Sequence, residues 1–71
     1  MVMKQLLLRV NNMSCQHCVS SIHDSVSRIV GVKEVKIDLK MKLVQIEYDD
    51  TFTNELVLIE TIEDQGFDIE L

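Results

Sequence analysis

Seventy-one residues are enough for one domain and too few for two, so residues 1–71 are read as a single domain. Apolar residues make up 46% of the chain and proline is absent, which argues against disorder, while the longest apolar run, Leu56–Ile59, is far too short for a membrane span. The net charge of −5 divides into +2 over residues 1–35 and −7 over residues 36–71; no basic stripe exists, and the aromatics are only Tyr48, Phe52 and Phe67, which sets nucleic-acid binding aside.

Gln5 to Val10 alternates, with Leu6, Leu8 and Val10 on one face, and predicts a strand with a buried side. Asn11 to Cys18 is polar and reads as a loop leading into a helix. Val19, Ile22, Val26 and Ile29 then recur at helical spacing, and the helix is expected to run to Val30-Gly31, where glycine suits a left-handed C-terminal position. Val35, Ile37 and Leu39 mark a second strand, a polar turn follows around Lys40–Lys42, and Val44, Ile46 and Tyr48 mark a third. Thr53 and Asn54 are both candidate caps for a second helix, whose inner face carries Leu58, Ile59 and Ile62 and which leaves Leu56 and Val57 outside. Phe67–Leu71 completes the pattern as a short last strand. The order β-α-β-β-α-β, with right-handed crossovers, predicts an α+β ferredoxin-like sandwich: a four-stranded antiparallel sheet with two helices on one face.

The chemistry concentrates in Met13-Ser14-Cys15-Gln16-His17-Cys18. Two cysteines three apart close too short a loop to staple a fold. Their place between the first strand and the first helix puts both sulfurs near free backbone N–H groups and the positive end of the helix dipole, with Ser14 expected as the N-cap. That field favours thiolates. Two soft thiolates suit Cu(I), whereas zinc asks for four ligands and the chain adds only His17, His23 and carboxylates. A low-coordinate site is open to attack by another thiolate, which is what a carrier needs. Cys15, in the looser loop, is expected to be released first.

These residues resemble a known pattern. Asn12-Met13-Ser14-Cys15-Gln16-His17-Cys18-Val19 is similar to the Met-x-Cys-x-x-Cys motif of heavy-metal-associated domains. Gly31-Val32, Glu47-Tyr48-Asp49 and Ile62-Glu63-Asp64-Gln65-Gly66-Phe67-Asp68 are similar to other parts of that family. Ser-Cys-Gln-His-Cys in particular looks like its free bacterial copper chaperones. The resemblance implies Cu(I) bound by Cys15 and Cys18 and delivered to the metal-binding domain of a copper-exporting P-type ATPase, with a copper-responsive repressor as another candidate partner. It implies a monomer when metal-free, a copper-bridged dimer being the alternative assembly. Ser14 stands where zinc-transporting relatives tend to carry aspartate, which favours copper. In the family, Met13 is chiefly a buried support, and an aromatic at Phe67 lies near the metal loop. Asn12 replaces the family's usual glycine; asparagine tolerates left-handed backbone, so the loop is expected to keep its path.

Several residues allow more than one role. Met13 is either a third, thioether ligand or an apolar support, and supports are the commoner. His17 either touches the metal or tunes solvent access and partner contact; His23 reads as a boundary residue. Phe67 either shields the site or only caps the core. Lys33, Lys36, Lys40 and Lys42 read as solvated positions rather than partner-steering ones. Free thiols and no export signal point to a cytoplasmic protein. The rival readings are a metal-binding domain excised from a copper ATPase and, from another class, a thiol–disulfide redox protein. The chain's start at methionine and end at the last strand favour a free carrier, and the lack of proline counts against the redox reading. No triad, phosphate loop or paired acid and base is present, so no enzymatic turnover is expected.

Overall fold

Where the apolar positions alternate, the chain forms strands; where they recur every three or four residues, it forms helices. The computed structural model describes residues 2–70. Its elements are β1 (Met3–Val10), α1 (Gln16–Ser27), β2 (Val32–Asp38), β3 (Leu43–Asp49), α2 (Glu55–Asp64) and β4 (Ile69–Glu70). The strands form one sheet in the order β2-β3-β1-β4, with every neighbouring pair antiparallel. Each helix therefore crosses over a strand that belongs to the other half of the chain. This is the ferredoxin-like βαββαβ sandwich expected from the pattern.

The register puts the apolar face together residue by residue. Leu6 lies opposite Ile46, Leu8 opposite Val44, Val35 opposite Ile46, Ile37 opposite Val44 and Val10 opposite Ile69. Ile22 and Val26 of α1 and Leu58 and Ile62 of α2 close over that face, each fully buried. Each such side chain contributes about 1.5–3 kcal/mol relative to exposure. The opposite sheet face is mostly polar, with Gln5, Gln45, Glu47, Glu34 and Lys36 side by side and Leu7 exposed next to them. Lys33 and Lys36 make only surface pairs there, at 3.9 Å with Glu47 and 3.7 Å with Glu34, of the kind worth little in water.

The boundaries differ from the sequence reading in several places; Leu39, read as part of the second strand, lies in the turn after β2. β1 starts at Met3, because pairing with β3 continues as far as Met3 opposite Asp49. β2 starts at Val32: Val32 pairs with Tyr48 and Glu34 with Glu47, so Lys33 is an extra residue in the ladder. This bulge lets Val32 and Val35, three apart, face the same core and so hides the first half of the strand from a period-two reading. α1 ends at Ser27 with Arg28 as its C-cap rather than running to Val30. The early end lets Gly31, at φ +103°, pass beneath the loop after β3, where the Asp49 N–H donates to the Gly31 carbonyl at 2.8 Å. The last strand shrinks to Ile69–Glu70 because Asp68 is engaged by the cysteine loop; Leu71 lies outside the described residues.

Candidate metal centre

β1 ends at Val10 and hands the chain to a loop held from below by Met13, which is fully buried among the core residues. The thioether packs among the core residues. Ser14 is exposed in the loop and does not cap the helix. The cap is Cys15, at φ −145° and ψ 162°, and its sulfur accepts from the Cys18 N–H at 3.3 Å. The Cys15 carbonyl accepts from Val19 N–H at 3.2 Å, the first helical bond. The shift by one residue has a physical reason: burying Met13 two residues ahead sets the loop's height, so the extended cap conformation falls on Cys15.

Cys15 is exposed and Cys18 half-buried, both free thiols, with their sulfurs 2.9 Å apart. The neighbouring Cys15 thiol is the main reason that the Cys18 thiol ionises below its ordinary value of 9.0. Backbone hydrogen bonding at Ser14 is the next cause, and partial desolvation opposes both. No acidic residue occupies the first turn of α1, so nothing competes with a thiolate for the helix's positive end. Such a pair can share a proton or, losing it, hold a soft cation between two sulfurs.

The other expected site residues are spread around this pair. His17 is exposed in the first turn of α1, and among the described residues no group of three or more His, Cys, Asp or Glu gathers to hold a metal. His23 is also exposed, 3.9 Å from Asp24. Phe67 is half-buried and packs against the core cluster from the loop before β4. Lys42 is not simply solvated, since its Nζ donates to the Asn11 carbonyl at 3.2 Å.

Asn12 was expected to matter through its backbone. Instead, Lys42, at φ 58°, is the sole non-glycine residue with positive φ among those described. Asn12 acts through its side chain. Its Nδ2 donates to the Gly66 carbonyl at 3.1 Å and its Oδ1 accepts from the Asp68 N–H at 2.7 Å. No sequence signal could have found this, because the partners are backbone atoms 54 and 56 positions away.

The family model of the heavy-metal-associated domain matches residues 7–68, from inside β1 to the residue before β4. The chain belongs to the heavy-metal-associated domain family. It is 37% identical to the copper chaperone CopZ of Bacillus subtilis (strain 168), over 94% of this chain and 97% of that one. It is 38% identical to a segment of the copper-transporting ATPase 1 of Rattus norvegicus, covering 96% of this chain and 5% of that protein. A solved CopZ metallochaperone superimposes with a TM-score of 0.91 at 34% identity, over 94% of this chain and all of that one. Among the described residues no helix is long and apolar enough to cross a membrane.

Proposed function

We propose that this protein is a copper carrier in which Cys15 and Cys18 hold one Cu(I) ion and release it, by thiolate exchange, to the metal-binding domain of a copper-exporting P-type ATPase. The observation that carries the reading is the sulfur pair 2.9 Å apart at an uncontested helix N-terminus. Two thiolates and one Cu⁺ leave a net −1 that the dipole favours. The metal stays low-coordinate and open on the solvent side, where Cys15 is exposed. An incoming thiolate bonds to the copper, giving a three-coordinate bridge; one of the chain's own sulfurs then leaves and takes up a proton. The copper stays Cu(I) throughout, so no oxidant or reductant is needed. Similarity to copper chaperones over nearly the whole chain supports the reading. Similarity to a segment of a copper-transporting ATPase supports a second setting for the same site, as a receiving domain of such a transporter.

Anaerobic titration of the reduced protein with Cu(I), in competition with a coloured Cu(I) chelator, tests this. One tightly held copper per chain is expected, lost in the Cys15→Ser plus Cys18→Ser variant. Equal copper uptake by that variant, or none by the wild type, would overturn it.

A further inference from the structure

The cysteine loop and the turn before β4 meet at one residue. Asn12 spends both ends of its carboxamide on that turn, bonding Gly66 on one side of Phe67 and Asp68 on the other. Beside it the Asn11 N–H donates to the Asp68 carbonyl at 2.8 Å. Phe67 is thereby pinned at both flanks, and Met13, next to Asn12, is pinned by burial. A glycine at position 12 could make neither side-chain bond, and the backbone there, without positive φ, does not call for one.

We propose that Asn12 is a positioning residue that sets how fast copper leaves. Its carboxamide latches the loop carrying Cys15 to the Gly66–Asp68 turn, adding two hydrogen bonds to the buried Met13 and the helical bond at the Cys15 carbonyl, which together resist movement of the loop away from the metal. This rests on the copper reading above. Cys18 belongs to α1 and is held by the helix; Cys15 stands at the loop's end, so the latch acts on Cys15. Two partly exposed hydrogen bonds of ordinary net strength make the unlatched loop rarer by about tenfold.

The test compares wild type with Asn12→Gly and Asn12→Asp; the aspartate keeps the acceptor for Asp68 N–H and loses the donor to Gly66. Two quantities are read: the rate of copper removal by excess Cu(I) chelator, and amide hydrogen exchange at Asn11 and at Asp49. The Asp49 amide bonds Gly31 away from the latch, so it reports general loosening of the fold. In Asn12→Gly, copper removal and Asn11 exchange are expected to accelerate about tenfold, with Asp49 exchange unchanged within about twofold. Asn12→Asp is expected to fall between. Acceleration of both amides together would make Asn12 merely structural and overturn the proposal, as would unchanged copper removal from a wild type that holds copper. A wild type that holds no copper would instead remove the copper reading, and this proposal with it.

Discussion

The chain passes from strand to helix twice, after β1 and after β3, and the two junctions are built alike. Cys15 caps α1 at φ −145° and ψ 162°; Asn54 caps α2 at φ −147° and ψ 172°. Each cap's side chain accepts from the N–H three residues on, Cys18 at 3.3 Å and Val57 at 3.0 Å. Each cap's carbonyl accepts the first helical bond at 3.2 Å. They differ in the atom used and in the charge around it. Asn54 offers an amide oxygen, a strong acceptor, and Glu55 in the first turn answers the helix dipole. Cys15 offers sulfur, a weak acceptor, and no acid stands in the first turn after it. The junction after β3 is built for stability. The junction after β1 gives up part of that stability and leaves its dipole free for thiolates.

The most severe way to break the stable half is at the glycine that supports its loop. A Cβ on Gly31 would stand 2.8 Å from the Phe52 Cβ and 3.3 Å from both the Asp49 carbonyl oxygen and Thr53 Cγ2, at φ +103°. Gly31→Ala is expected to cost about 2–3 kcal/mol in chemical denaturation. Gly66, which follows α2 at φ +96°, meets nothing within 4 Å, so Gly66→Ala carries only the backbone penalty of ~1 kcal/mol. Equal losses would show that the packing of Gly31 under the Asp49–Thr53 loop contributes nothing.

The caps can then be exchanged against each other. Asn54→Ala is expected to lower stability by about 1 kcal/mol, the usual worth of an N-cap. Cys15→Ser is expected to raise the stability of the metal-free protein by about 0.5 kcal/mol, since a hydroxyl caps better than a thiol. The same variant should lose tight copper binding. Urea unfolding of both variants decides it: a destabilised metal-free Cys15→Ser would mean that the sulfur is not the weaker cap, and the contrast between the junctions would fall.

How far the sequence carries depends on the distance over which each contact acts. Period-two runs such as Leu6-Leu8-Val10 and the helical series Leu58-Ile59-Ile62 report burial directly, and with them the architecture was legible. Cys15 and Cys18 were legible as a close sulfur pair because their spacing and their place at the start of a helix are local facts. Ser14 was misread because its propensity as a cap is strong, while the position of the cap is set by where Met13 enters the core. The Lys33 bulge, the early end of α1 and the Asn12 latch were not legible. Each answers to a partner elsewhere in the chain: Tyr48 and Glu47 for the bulge, Asp49 for Gly31, Gly66 and Asp68 for Asn12.

The finest difference between the two junctions is that one of them titrates. Cys18 ionises below its ordinary 9.0 in the folded chain, first because of Cys15 beside it and next because of the backbone at Ser14. Folding therefore favours its thiolate. The contribution is complete above pH 9.0, shrinks as the pH falls towards the lowered folded value, and is gone below it. Asn54 has no such proton to lose. In reduced, metal-free protein, the stability difference between wild type and Cys18→Ala should thus widen in favour of wild type as the pH rises towards 9.0, whereas the difference between wild type and Asn54→Ala should stay level. The effect is the smallest of the series because solvent still screens a half-buried sulfur at the surface. Two pH profiles running parallel would mean that Cys18 gains nothing from Cys15 and the Ser14 backbone beside it, and its thiolate in the copper site would then be owed to the metal alone.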